Sequence, residues 1–218
     1  MRKQSVFLFF ICAWVGSYGQ IGSIIGAETA YSRPISQQTK PAFSTAKLAF
    51  TITKNAISDT DKATAIYSWI VSNIAYDHEL MHSEMLQKQF YTSEENVIKK
   101  VLERKMALCG GFAFLYKQLC AEVGIAVEVI HGFTKNYSSK TQIDEKPKHT
   151  WNAVKLNNKW FLLDITWAIS NGDGKNPDNF WFLTTPTDFM YSHYPKNSRW
   201  TLLKYPQSFE EFQRIGNP

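Results

Sequence analysis

A chain of 218 residues, 44% hydrophobic and 15% aromatic, holds enough apolar material for one packed domain and is too short for several. Its formal net charge of +5 is mild and no run of lysine or arginine concentrates it, which excludes an electrostatic nucleic-acid binder. No second apolar stretch beyond the N-terminal one approaches membrane length, so no stable membrane insertion is expected once that first segment is removed.

Residues 1–19 have the layout of a secretory signal peptide: Arg2 and Lys3, an apolar run from Val6 to Val15, and small residues at Ser17 and Gly19. Its removal takes two positive charges away and places the mature chain outside the cell or in the periplasm. Cys12 does not read as a lipoprotein site, because Phe9-Phe10-Ile11 lacks the small residues expected before one. Residues 20–40, poor in large apolar side chains and rich in Gly, Ser, Thr and Gln, read as a spacer, and the domain is expected over residues 41–218.

The first half of that domain reads as helical. Residues 42–55 form a first amphipathic pattern, and Asp59-Thr60-Asp61 caps a second with Ala63, Ile66, Tyr67, Ile70, Val71 and Ile74 on one face. Ser93-Glu94-Glu95-Asn96 opens another, whose apolar positions are Val97, Ile98, Val101 and Leu102, and Arg104-Lys105 ends it. Between them His78-Glu79-Leu80-Met81-His82 fits the H-E-x-x-H pattern, in which two histidines one turn apart bind zinc and the glutamate activates water. A third ligand is missing at the extended spacing, where Met85 replaces the glycine, so no metal is expected; a zinc metallopeptidase through His78, Glu79 and His82 stays as an alternative.

The next helix organises the chain. Phe112, Leu115, Tyr116, Leu119, Cys120 and Val123 repeat at 3.6-residue spacing, and Gly124 suits a left-handed C-cap. Its first residues are Cys109, Gly110 and Gly111, which puts a thiol at the positive end of the helix dipole beside small residues that let a substrate backbone approach. That position favours the thiolate, the form that attacks carbonyls, and makes the Cys109 backbone N–H the candidate oxyanion donor. Cys120 belongs to the core stripe, roughly 16 Å away along one straight helix and out of disulfide reach.

A strand over residues 125–133 and a polar loop to Lys148 follow, then a β-hairpin around Asn157-Asn158, a dipeptide that tolerates the positive φ angles of a tight turn. With those two residues as the loop, Leu156 faces Lys159, Trp151 faces Asp164 and His149 faces Thr166. His149 and Asp164 become diagonal neighbours on one sheet face, roughly 7 to 8 Å apart at the backbone and close enough for an imidazole–carboxylate bond. Residues 171–178 form a turn without the spacing of a calcium-binding EF-hand loop, and residues 180–184 a last strand. His131 and His193 lack a partner pattern and are read as structural. Helices first and antiparallel strands afterwards give an α+β fold.

Three motifs in order, Cys109-Gly110-Gly111-Phe112-Ala113, His149-Thr150-Trp151-Asn152 and Asp164-Ile165-Thr166-Trp167, resemble the transglutaminase-like superfamily. Trp69-Ile70, Asn73-Ile74-Ala75-Tyr76-Asp77, Trp181-Phe182-Leu183-Thr184-Thr185-Pro186, His193-Tyr194-Pro195 and Trp200 resemble the flanking signatures of its kyphoscoliosis peptidase branch. The resemblance implies a papain-like core with Cys109 as nucleophile, His149 as general base and then general acid, and Asp164 orienting the imidazole. It implies a peptidase, amidase or transglutaminase-type acyltransferase acting on a protein or peptide, and no cofactor is expected. From the residues themselves, Gly110 is expected to admit the substrate and Trp151 and Trp167, with Trp160, to form core and pocket wall. The rival from another class is a non-catalytic module of the same fold that holds a peptide in the tryptophan-lined cleft.

Overall fold

Serine side chains set the helix starts in the computed structural model, which describes residues 44–135 and 148–214; the expected signal segment (1–19), the spacer (20–40) and most of the loop before Lys148 lie outside these. Helix α1 (Thr45–Thr53) begins where the Ser44 hydroxyl accepts the Lys47 N–H. Helix α2 (Asp59–Asn73) begins with a capping box in which Ser58 and Asp61 each accept the other's backbone N–H, so the cap is Ser58, one residue before the expected Asp59. Helix α5 (Glu94–Arg104) is capped by Ser93 and stopped by Lys105 at φ 58°.

Between α2 and α5 lie a two-residue strand β1 (Ala75–Tyr76), a single turn α3 (His78–Met81) and α4 (Glu84–Phe90). Strand β1 pairs in parallel with β2 (Met106–Ala107), and the Asp77 N–H donates to the Ala107 carbonyl at 3.0 Å. Tyr76 and Asp77 are thereby fixed beside the residues that lead into the cysteine helix.

That helix, α6 (Cys109–Glu122), buries Phe112, Leu115, Tyr116, Leu119 and Cys120, and Gly124 follows it at φ +80°. One side of it meets α1, α2 and α5. The other meets a five-stranded antiparallel sheet of order β6 (Phe182–Thr184), β5 (Lys159–Leu163), β4 (His149–Leu156), β3 (Val127–Thr134) and β7 (His193–Pro195). The fold is α+β, helices followed by an antiparallel sheet. Asn152 of β4 pins sheet to helix, its side-chain amide donating to the Ala113 and Glu128 carbonyls.

The hairpin turns at Asn157 (φ 49°) and Asn158 (φ 62°), and its register runs as expected from Leu156↔Lys159 to Asn152↔Leu163. Pairing then stops. Asp164 is not a strand residue opposite Trp151: its carboxylate accepts the Trp167 N–H and caps α7 (Ile165–Ser170), which also removes Thr166 from the ladder. The expected last strand starts as a 3-10 turn (Asn179–Trp181) because the Asp178 carboxylate accepts the Phe180 N–H, leaving only three residues for β6. The edge strand β7, reached through the short α8 (Pro186–Phe189), was not expected. A 3-10 turn (Ser198–Thr201) and α9 (Phe209–Arg214) are the last elements among the described residues.

Strands β3 and β7 approach closely at Gly132, where an added Cβ would lie 2.3 Å from both the Trp151 ring and the Tyr194 carbonyl oxygen. A backbone oxygen cannot swing aside. Gly132→Ala is therefore expected to lower unfolding free energy by about 3 kcal/mol, the upper range for overpacking. Gly124→Ala meets open space and loses about 1 kcal/mol to its left-handed backbone. Urea midpoints of the two variants, with unchanged slopes, check the order.

Candidate active site

Cys109 opens α6, and the residue before it, Leu108, has no side-chain oxygen with which to cap the helix. The positive end of the helix thus falls on a half-buried thiol. Burial alone would push this thiol up. The hydrogen bond from His149 and its charge, with a smaller contribution from the Gly110 N–H, overcome that and bring its pKa below the ordinary value, while the Asp164 charge opposes them. Cys120 on the same helix is fully buried, and burial raises its pKa to about 12.

His149, at the start of β4, points Nε2 at Asp164 Oδ2 at 2.5 Å, and Cys109 is among the groups that raise its pKa. Since Nε2 is spent on the carboxylate, Nδ1 is the nitrogen left for the thiol. Burial would lower the His149 pKa, but Asp164 and then Cys109 lift it to about 10. Asp164 is fully buried; burial would raise its pKa, yet His149 and His193 hold it well below the carboxylate range. Lowering the thiol and raising the imidazole both favour the thiolate–imidazolium form of the pair.

His193, read from the sequence as structural and without a partner pattern, has a partner in the structure. It has no exposed surface, and its Nε2 lies 2.9 Å from the same Asp164 oxygen that His149 uses. Trp167 and Phe189 lie against it at ring-centroid distances of 4.5 and 4.2 Å, with Trp151 and Trp181 behind. Burial lowers its pKa to about 4, against the pull of Asp164, so the ring is neutral. The signal for it was faint: one histidine 29 positions past Asp164, in a three-residue strand, with nothing periodic around it.

Of Gly110, Trp151 and Trp167, only Trp167 is partly exposed. Gly110 is buried, and a Cβ there would lie 3.0 Å from the Tyr91 ring; Gly111 is packed as tightly against Val101 and Ala107. These glycines make room for neighbouring side chains instead of a substrate backbone. Trp151, 1% exposed, lies behind the histidines and not on an open surface. The Tyr76 pKa is raised by burial and then by the Cys109 charge, and its hydroxyl donates to Met81 Sδ.

The H-E-x-x-H residues do not converge. The Glu79 carboxylate accepts from Arg104 at 2.8 Å, and His82 Nδ1 turns back to the His78 carbonyl at 2.7 Å. Among the described residues the metal-capable side chains that do cluster are His149, Asp164 and His193, at distances and with partners that suit N–H···O bonds to one carboxylate. The Asp173 carboxylate accepts the Lys175 and Asn176 N–H groups of its own turn.

The sequence profile of the transglutaminase-like superfamily matches residues 46–165, which run from α1 to just past Asp164. The chain belongs to that superfamily. This transglutaminase-like chain is 30% identical over 175 residues to kyphoscoliosis peptidase of Mus musculus, an alignment covering 77% of the chain and 25% of that protein. It is 28% identical over 184 residues to the Lim and transglutaminase domain protein ltd-1 of Caenorhabditis elegans, covering 76% and 24%. It therefore spans about a quarter of the length of these curated relatives. Among solved structures, an arylamine N-acetyltransferase of Bacillus cereus superposes with a TM-score of 0.45 at 17% identity, over 57% of the transglutaminase-like chain and 49% of the other.

The proton inventory of the site sets how stability varies with pH. Between about pH 6.5 and 9 the two members of the Cys109–His149 pair oppose each other: as pH rises the raised imidazole loses stability and the lowered thiol gains it. Below about pH 6.5 unfolded His193 takes up a proton that the folded, depressed His193 does not, so stability falls as pH falls until about 4, where folded His193 also protonates. Above about pH 9 the unfolded thiol ionises while folded His149 keeps its proton to about 10, and stability falls again. Urea unfolding across pH 4 to 10 is expected to show a plateau and two declining limbs, of about 1.4 kcal/mol per pH unit for each proton of difference.

Proposed function

We propose that the chain is an exported, cysteine-dependent acyl-transfer enzyme that acts on peptide bonds or glutamine side-chain amides of proteins, with Cys109, His149 and Asp164 as its catalytic groups. The observation that carries this reading is the buried His149–Asp164 bond at 2.5 Å, together with the lowering of the Cys109 thiol at the start of α6 by that same His149. Residues 1–19, with the features of a signal peptide, support export. The names of the mouse and worm relatives, a peptidase and a transglutaminase domain protein, point to the two outcomes open to such chemistry.

In this mechanism the Cys109 thiolate forms a C–S bond to the substrate carbonyl, whose π electrons move onto oxygen. The Cys109 N–H, at a helix start without a side-chain cap, stabilises that oxyanion. The oxyanion collapses, the C–N bond breaks, and the departing nitrogen takes the proton from His149 Nδ1. Neutral His149 then removes a proton from water or an amine as it attacks the thioester, and the thiolate returns as leaving group. Asp164 stays ionised throughout and holds the imidazole in the tautomer that presents Nδ1 to the sulfur. Trp167, the partly exposed aromatic beside His149, forms a wall for the substrate.

Incubation of wild-type and Cys109→Ala protein with a protein mixture and a labelled primary amine tests the proposal. New N-termini or amine-labelled glutamines are expected only with wild type, and turnover is expected to fall at least about 10³-fold in the variant. Iodoacetamide at pH 7 should alkylate Cys109 and spare Cys120, and His149→Ala should slow that reaction. Equal, slow labelling of both thiols, without products that depend on Cys109, overturns the proposal in favour of a binding module.

A further inference from the structure

We infer that His193 is a positioning residue for the proposed relay: its neutral Nε2–H, donated to Asp164 Oδ2 beside His149, takes a share of that oxygen's charge and keeps the His149 imidazolium acidic enough to release its proton. This rests on the reading of Cys109, His149 and Asp164 given above. The starting point is geometric. Two imidazole nitrogens meet one carboxylate oxygen, His149 Nε2 at 2.5 Å and His193 Nε2 at 2.9 Å, while the other oxygen is committed to the Trp167 N–H at 3.0 Å.

The surroundings fix which proton His193 carries. Its Nδ1 lies 2.8 Å from the Ser192 hydroxyl, which can donate to it, and the carboxylate accepts only from a donor, so the proton sits on Nε2. The ring is enclosed by Trp151, Trp167, Trp181 and Phe189, with Asp164 and His149 as the titratable groups that act on it. On the far side of the relay, Cys109 is faced by His149, Asp164, Tyr76 and Tyr91. A phenylalanine would fill such an aromatic box without the desolvation cost of an imidazole. What a phenylalanine lacks is the donor.

The donor matters because a buried carboxylate with a single partner binds that partner's proton very tightly. His149 is already lifted to about 10 with the oxygen shared. With His193 gone, Oδ2 would face hydrocarbon and His149 alone, and the added basicity would pass to the imidazole. A second cation could not do the sharing, since two imidazoliums with ring centres 5.6 Å apart would repel. Burial keeps His193 uncharged, and it acts as a dipole.

Nitrogen-15 NMR of histidine-labelled protein tests this without any substrate. In wild type His193 is expected as the neutral Nε2–H tautomer from pH 5 to 9, with His149 as the imidazolium. In His193→Phe the deprotonation midpoint of His149 should rise by about one pH unit, a tenfold tighter hold on its proton. In His193→Gln, whose side-chain amide N–H reaches the same oxygen, it should stay with wild type. The inference is overturned if the midpoint in His193→Phe is unmoved or lowered, or if the two variants behave alike. It is also overturned if wild-type His193 is protonated or carries its proton on Nδ1, a measurement that needs no variant to fold. A wild-type His149 with an ordinary midpoint and a slowly alkylated Cys109 would instead remove the relay itself. An intact relay with an unshifted midpoint removes only the role of His193.

Discussion

One buried anion organises the C-terminal half of this fold. Taking a carboxylate out of water costs several kcal/mol after relaxation, and the Asp164 side chain has no exposed surface with which to recover any of it. The cost is offset by donors from three elements: the Trp167 N–H of α7 on one oxygen, and His149 of β4 and His193 of β7 on the other. A helix start, a central strand and an edge strand are thus held to a common point. Truncating either histidine would leave charge buried without its partner, the expensive direction of the change.

The same point explains the division of labour between the halves of the domain. The helical half delivers sulfur: α1, α2 and α5 surround α6, and the parallel β1–β2 pair fixes the chain just ahead of Cys109. The sheet half delivers the proton carrier and its anchor. Asn152 joins the two by donating to a carbonyl inside α6, three residues along β4 from His149. The strand that carries His149 is therefore tied to the helix that carries Cys109 by a buried hydrogen bond.

Much of this was legible in the sequence because it rests on local rules. The α6 stripe follows helical period, Gly124 its C-cap, and Asn157-Asn158 the tight turn whose register carries His149 and Asp164 to within reach of each other. What escaped was short or reciprocal. Ser58 was passed over for Asp59 because a capping box is a pair of bonds and not a residue type. Asp164 was read as a strand residue because an N-cap also has an extended backbone, φ −130° and ψ 101°, and only the Trp167 amide tells them apart. Strand β7, with His193, is three residues long, too few for any alternation to show. Gly110 and Gly111 were assigned to substrate approach, whereas the atoms that need their missing Cβ belong to Tyr91, Val101 and Ala107, remote in sequence pattern.

The pair of thiols on α6 has a chemical corollary. Cys109 is the more readily oxidised, being half-buried with a lowered pKa, and Cys120 is sealed in the core on the same rigid helix. A sulfenic acid formed at the helix tip thus has no partner thiol among the described residues, and a reductant from solution would return it to the thiol.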